Sequence, residues 1–312
     1  MKDSSTILRT LQEKKNRGYL LAASLDRLGE LDRALLVLNC GTYLGMIETE
    51  EGGKIVEANF CKQRLCPACS WRRSLKIYGA TSQILDHLDE THGKTIKYLF
   101  LTLTVRNVRL EDLGKAIDGM AEAFKRLINN RAWKRRVLGC MRTLEVTINH
   151  EANTAHPHYH LILAVDRKYA TKQDETYWTY EDWQQAWKKA ARLDYDPNVS
   201  IERVRGRRSG IAEVSKYMAK DTDFLIDPIT HGMGTEEAEA LTDYLVGNLL
   251  KQMHGRRLVS YTGILRQAQQ ALKLADPETA DLTDTVRGDI ADAIKRFHWS
   301  AGLSRYAPGH QA

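Results

Sequence analysis

The sequence predicts an α+β protein organised around an antiparallel sheet, and three observations predict it. Between residues 97 and 205 the hydrophobic pattern switches between strand and helix periods in the order βαββαβ. Along those strands apolar and polar residues alternate, as in a sheet with two unlike faces. The stretches on either side read chiefly as helices, and the first of them holds four of the five cysteines. The βαββαβ order is the split-βαβ arrangement, ferredoxin-like or RRM-like.

In chain order, residues 6–38 read mostly as helix. Gly41, Gly45, Gly52 and Gly53 mark turns in the cysteine-bearing segment that follows, and residues 70–88 return to helix. KYLFLTLTVRN from Lys97 is a strand, EDLGKAIDGMAEAFKRLINN a helix, and RTLEVTINH and HPHYHLILAV are strands. YEDWQQAWKKAARL is a helix, NVSIERVR a strand and SGIAEVSKYMAKD a further helix. After Asp227-Pro228 come helices over 236–253 and 263–274 around one candidate strand, RRLVSYTG. We therefore expect three regions: 1–92, helical with the cysteine cluster; 95–225, the βαββαβ domain; and 226–312, α-rich.

Composition removes several classes. The chain has 312 residues, with 46 Lys+Arg against 40 Asp+Glu, a net charge of +6 and 43% hydrophobic residues, which fits a folded chain with a sizeable core and neither a disordered nor a fibrous one. The longest apolar-leaning run, YLFLTLTV from Tyr98, falls well short of the ~18 residues of a spanning helix. Charges run through the N-terminal region where a signal peptide would be apolar, so the expectation is a cytoplasmic protein with no membrane partner.

The strand pattern assigns faces. Leu144, Val146 and Ile148 oppose Thr143, Glu145 and Thr147; Leu99, Leu101, Leu103 and Val105 oppose Phe100, Thr102, Thr104 and Arg106; and Tyr159, Leu161, Leu163 and Val165 leave His158 and His160 on the other side. If helices cover the greasy faces, Glu145, His158 and His160 converge on an open polar surface. Two imidazoles one residue apart on a strand, with a carboxylate on the next strand, make a two-His, one-carboxylate metal site with open positions. His156 has the same parity but sits beside Pro157 at the strand entrance. A histidine pair alone reads first as a polar strand surface without metal; Glu145 is what brings the metal reading level with it.

In SGIAEVSKYMAKD, helical spacing puts Glu213, Lys216, Tyr217 and Lys220 on one face, opposite Ile211, Val214 and Met218. A free phenol is only ~0.1% ionised at pH 7, a deficit of about 4 kcal/mol that flanking ammonium groups and a metal-bound phosphate partly offset. Basic residues cluster from Lys125 to Arg142, including Arg135 and Arg136, and again at Arg203, Arg205, Arg207 and Arg208; with Arg72, Arg73 and Arg106 they are candidate phosphate contacts. Trp133, Trp178, Trp183 and Trp187 are candidate base-stacking groups, although Trp183 and Trp187 at i and i+4 also read as helix packing. Cys61, Cys66 and Cys69 have thiolate-ligand spacing, and Cys40 supplies a fourth for structural zinc; Cys140 reads as a buried thiol. No HxE accompanies the Cys pair as a zinc deaminase requires, and no Walker A sequence is present.

With these residues in hand, the chain resembles the rolling-circle plasmid replication initiators of the HUH endonuclease superfamily, in the branch with one catalytic tyrosine and an N-terminal cysteine module. The likeness runs in order from about Cys40 to Leu282 through FCKQRLCPACSWRRSLK, FLTLTVRNV, LEVTINHEANTAHPHYHLILAV, EVSKYMAKDTD and RRLVSYTGILRQAQQALKLADPETADL. The resemblance implies that His158 and His160 bind Mn²⁺ or Mg²⁺, that Tyr217 nicks one origin strand through a 5′-phosphotyrosyl link, and that Glu213 serves termination. Glu145 as third ligand rests on strand parity alone, and Lys216 and Lys220 on their place beside Tyr217. Region 95–225 would then be the HUH domain and 1–92 its zinc module, with origin DNA, a host helicase and a DNA polymerase as partners. The alternatives are an HUH relaxase or transposase, or a zinc-containing DNA-binding regulator without catalysis.

Overall fold

The structure, a computed structural model, describes residues 3–50, 52–169, 177–204, 207–215, 219–285 and 293–309, with backbone alone at 94 and 207–209. In chain order its elements are α1 (Ser4–Arg27), α2 (Leu31–Asn39), β1 (Tyr43–Thr49), β2 (Gly52–Ala58), α3 (Pro67–His92), β3 (Ile96–Thr104) and β4 (Val108–Arg109). There follow α4 (Leu113–Asn129), α5 (Arg131–Lys134), β5 (Val137–Asn149), β6 (Thr154–Asp166), α6 (Tyr180–Ala191), β7 (Val199–Arg203) and α7 (Arg207–Val214). The remainder holds α8 (Pro228–His231), α9 (Thr235–Gln252), β8 (Val259–Thr262), α10 (Gly263–Ala271), β9 (Lys295–Ser300) and β10 (Arg305–Pro308). This is an α+β chain with antiparallel sheets. It divides into two compact units, one of Met1–Arg73, Phe224–Gly247 and Asp281–Ala312, the other of Ser74–Asp223 and Asn248–Ala280.

The first unit is built on α1, whose N-terminus is capped by Asp3 accepting from the Thr6 amide at 2.8 Å. Gly29, at φ 78, ends that helix in the left-handed conformation and lets α2 fold back on it. Ile7, Leu11, Leu21 and Leu25 of α1 pack with Val37, Leu44 and Ile55 in the core. A four-stranded sheet, ordered β10-β9-β1-β2, completes the unit. The sequence reading put turns at Gly45 and Gly53 and missed this sheet. Both glycines lie within strands because neighbours come too close for a side chain. A Cβ on Gly45 would sit 2.7 Å from a Glu57 carboxylate oxygen, and one on Gly53 2.7 Å from the Ser4 hydroxyl. The tail expected to be α-rich also supplies β9, which pairs with β1, and β10, which pairs with β9.

In the second unit the sheet runs β7-β3-β6-β5-β8, with β4 paired to β6. RRLVSYTG becomes the edge strand β8, bonded to β5. The greasy face carries Leu101, Leu103, Leu144, Val146, Tyr159, Leu161 and Leu163, all buried. Phe124 of α4, Trp133 of α5 and Trp183 and Trp187 of α6 are buried with them. The Trp187 indole donates to the Thr104 carbonyl at 2.7 Å, so that large apolar group is buried without an orphaned N–H. Burying a side chain of this kind contributes about 1.5–3 kcal/mol. Trp133, Trp183 and Trp187 are thus core residues, unavailable for stacking on bases. Arg142 shares this apolar face; its guanidinium lies 4.3 Å from the Tyr159 ring centroid and 5.1 Å from that of Phe124.

The opposite face is not open, contrary to the expectation. Thr81 of α3 bonds Met141 and the Tyr261 hydroxyl there, and α7 packs on β6 with Ile211 and Val214 buried. The cover follows from Phe100 and Ile162, apolar residues on the nominally polar face, which need a partner. The helix expected over 209–221 ends at Val214 among the described residues, so a single helical face holding Glu213 and Lys220 does not form.

Candidate metal centres

The register of the central strands decides the first site. Glu145 on β5 stands opposite His158 on β6, while Thr102 and Thr104 of β3 stand opposite His160 and His158. On the shared face, His160 Nε2 lies 3.0 Å and His158 Nε2 3.6 Å from the same Glu145 carboxylate oxygen. Their three ligand atoms all lie within 4.8 Å of one another, and the residues are 7–9% exposed, so this is an enclosed cluster.

The other ring nitrogens orient the pair. His158 Nδ1 lies 3.0 Å from the His156 carbonyl, which can only accept, so Nδ1 carries a proton and Nε2 is the nitrogen turned toward Glu145 and available to a metal. His160 Nδ1 meets the Thr102 hydroxyl at 3.3 Å. Two imidazole lone pairs and a carboxylate aimed at one point suit a divalent cation with free coordination positions. Burial by itself would raise the Glu145 carboxyl, but its bonds to His158 and His160 outweigh this and hold it well below the usual carboxylate range. His156 stacks on His158 with ring centroids 5.3 Å apart, and burial followed by the His158 charge pushes its imidazole down.

Glu213 of α7 brings a second carboxylate to within 4.0 Å of His160 Nε2, with its side chain 39% exposed. Asp223 is held above its ordinary range, first by burial, with Glu145 among the charges acting on it. Neither Thr102 nor Asp223 was singled out from sequence. Strand parity placed Thr102 on the correct face, and only register shows that it touches His160.

The second cluster lies in the other unit. Cys40 follows α2, Cys61 and Cys66 lie in the loop after β2, and Cys69 is in the first turn of α3. The sulfurs of Cys40 and Cys69 are 3.5 Å apart, those of Cys61 and Cys69 3.6 Å, and those of Cys66 and Cys40 3.6 Å. That is too far for a disulfide and close to the ~3.8 Å between thiolates held 2.3 Å from a tetrahedral zinc ion. Crowding by Cys40, Cys61 and Cys66, then burial, pushes the Cys69 thiol far up, as expected of sulfurs that ionise together only around a cation.

Lys15 is the residue the sequence reading missed here. It is 3% exposed, and its ammonium group donates to the Leu38 carbonyl and, at 2.8 Å, to the Cys40 carbonyl. Burial lowers its pKa, and the charges of Cys40, Cys66 and Cys61 oppose that shift. The signal was present: Ile7, Leu11 and Lys15 follow one another at i+4, so a lysine occupies the apolar stripe of α1. Four thiolates around a divalent ion would carry net negative charge, and Lys15 lies where it would compensate it. Lys15→Met is expected to weaken zinc affinity by about 10–100-fold. Competition against a chromophoric chelator measures this, and an unchanged affinity would remove Lys15 from the site.

The other sequence candidates scatter. Arg72 and Arg73 are buried, and Arg72 donates to the Leu282 carbonyl at 2.8 Å and pairs with Asp284 at 3.0 Å. The expected DNA contact at Arg72 is therefore replaced by a fold-holding ion pair. Arg106, Arg135 and Lys220 are exposed; Arg136 is half-buried, with its guanidinium 4.4 Å from the Trp178 ring centroid. Lys216, Tyr217 and Arg205 lie outside the described residues, as do the side chains of Arg207 and Arg208. Cys140 is buried as expected, which pushes its thiol up to about 11.

A family profile described as "Replication protein" (Rep_1) matches residues 52–307. The chain belongs to that family. It is 35% identical to "Protein rep" of Bacillus amyloliquefaciens over 94% of this chain and 92% of that protein. It is 37% identical to "Protein rep" of a Bacillus species over 80% of this chain and 84% of that one. A "Replication protein" of Staphylococcus aureus is 37% identical over 64% of this chain and 83% of its own length. No solved structure matches. The resemblance to plasmid replication initiators drawn from the motifs is thus borne out for this replication protein. Among its described residues no helix is long and apolar enough to cross a membrane.

Proposed function

We propose that this replication protein starts rolling-circle replication of a plasmid by nicking one strand of its origin and later rejoining strands. The observation that carries the reading is the convergence of Glu145, His158 and His160 on one point of the sheet. The strand order β7-β3-β6-β5, the fourth, first, third and second strands of the βαββαβ set, supports a ferredoxin-like HUH domain. A Mn²⁺ or Mg²⁺ ion held by these three residues supplies Lewis-acid polarisation of the scissile phosphate.

The remaining steps fall to the chain's own groups. Tyr217 attacks the phosphorus in line through its phenolic oxygen, loses its proton, and takes the 5′ side as a phosphotyrosyl ester. The 3′-OH that leaves primes a host DNA polymerase. Transesterification conserves one ester bond, so the strands can be rejoined at the same site. Lys216 and Lys220 stabilise the phenolate and the phosphate. Glu213, beside His160, activates water or a second attacking hydroxyl at termination. The four cysteines hold structural zinc, and Arg106, Arg135, Arg136, Arg205, Arg207 and Arg208 neutralise DNA phosphates. A host helicase opens the duplex, and the work is done in the cytoplasm.

Incubating the protein with Mn²⁺ and a labelled single strand carrying the nick region tests the reading. A covalent adduct on a denaturing gel is expected, while metal-independent binding without cleavage would leave a DNA-binding regulator. Glu213→Ala should nick at a normal rate yet release product and terminate poorly. Origin affinity should fall by about 10³–10⁵ between 50 and 200 mM salt if six to ten phosphates are neutralised. A flat response in a filter-binding titration would rule out contacts on that scale.

A further inference from the structure

At the end of β3, on the side of the sheet covered by α4 and α6, lies a groove of about 240 Å³ that the cleavage chemistry does not use. Val105, Met120 and Leu193 wall it with apolar atoms, and Gly119 leaves its side open, since a Cβ there would meet nothing within 4 Å. At its rim the Arg106 guanidinium lies 3.7 Å from the Tyr195 ring centroid, and the Arg106 amide donates to the Tyr195 hydroxyl at 2.8 Å. Arg106 is exposed, and its contacts among the described residues are with Tyr195 rather than with a carboxylate. A guanidinium stacked on a phenol ring, at the mouth of an apolar slot, offers a plane for a planar ring and a charge for its phosphate.

The groove begins where β3 ends, one residue past the position opposite His158. His156 stacks on His158 and is bonded to the backbone of Val105, so one side chain separates a candidate metal ligand from the groove wall. Thr104 stands opposite His158, and Arg106 is two residues further on, at most about 7 Å of chain. With the ~4.8 Å between paired strands added, the path from His158 spans about three to four nucleotides of a stacked strand at ~3.4 Å each.

We propose that this groove takes one unstacked nucleobase from a nucleotide near the scissile phosphodiester, with the Arg106–Tyr195 pair as its stacking platform. The proposal rests on the reading of the histidine cluster as a strand-cleavage site, and it makes the groove a determinant of where the strand is cut. Purine and pyrimidine rings both suit the slot, and the position of the base is what the test reads.

The test is equilibrium binding of a set of single-stranded origin oligonucleotides, each with one abasic position near the nick, in buffer without divalent cation. The wild-type protein should lose about 5- to 150-fold in affinity at one position, the range base–aromatic stacking supports. Gly119→Leu, which favours the helix and grows into the groove, should bind the intact strand about as weakly and lose its sensitivity to that abasic position. Tyr195→Ala should do the same from the other side of the slot. If both variants keep the wild-type abasic profile, or the wild type shows no sensitive position, the groove takes no base. Nicking of the intact strand with Mn²⁺ is measured in parallel. A wild type that nicks while the profiles stay unchanged overturns the groove alone, and one that does not nick overturns the cleavage reading and the inference with it.

Discussion

Tyr217→Phe is expected to abolish adduct formation and strand cleavage, a loss of about 10³-fold or more of the kind seen when a nucleophile is removed, while origin affinity stays within about twofold. The substitution deletes one oxygen and keeps the ring, so origin binding by the rest of the protein should persist. Mass spectrometry of the wild-type adduct should place the DNA on Tyr217. Cleavage at a normal rate by the Phe variant would move the nucleophile elsewhere. The paired change, His158→Ala with His160→Ala, should lose metal-dependent cleavage with Tyr217 intact, which separates loss of the nucleophile from loss of the metal.

The second large effect is expected from removing the zinc proposed for the four-cysteine site. Structural zinc contributes about 10–16 kcal/mol of apparent binding energy in isolated peptides. Here the first unit also has its own core around Leu11, Leu44 and Ile55, so loss of the ion should cost several kcal/mol and leave a partly ordered unit. The purified protein should carry one zinc per chain by elemental analysis. A strong chelator should lower the melting temperature, and Cys66→Ala should reproduce that shift without chelator. Absence of bound zinc together with a melting curve indifferent to chelator would return Cys40, Cys61, Cys66 and Cys69 to the role of reduced core thiols.

Much of the candidate site was legible in the residues. Strand alternation alone put Glu145 on the face of His158 and His160, and the register places it opposite His158. Cysteine spacing named three close sulfurs, and Cys40 joined them because it ends the first helical stretch. Other features were illegible for a common reason. Gly45 and Gly53 look like turn residues until the Glu57 carboxylate and Ser4 are seen to occupy the space a Cβ would need. Arg72 looks like one more cation in a basic segment until Asp284 arrives beside it. Lys15 looks like a surface lysine until the Leu38 and Cys40 carbonyls close over it.

The sequence by itself determined the α+β class, the shared face of Glu145, His158 and His160, the four-sulfur set and the family, because hydrophobic period, strand parity and ligand spacing are local and survive without knowledge of what packs where. The tertiary structure decided that β9 and β10 return to pair beside β1, that α3 and α7 cover the histidine face, and that Arg106 stacks on Tyr195 over a groove. Each of these depends on excluded volume and partner choice between segments far apart in the chain, and no pattern within one segment specifies its distant neighbour.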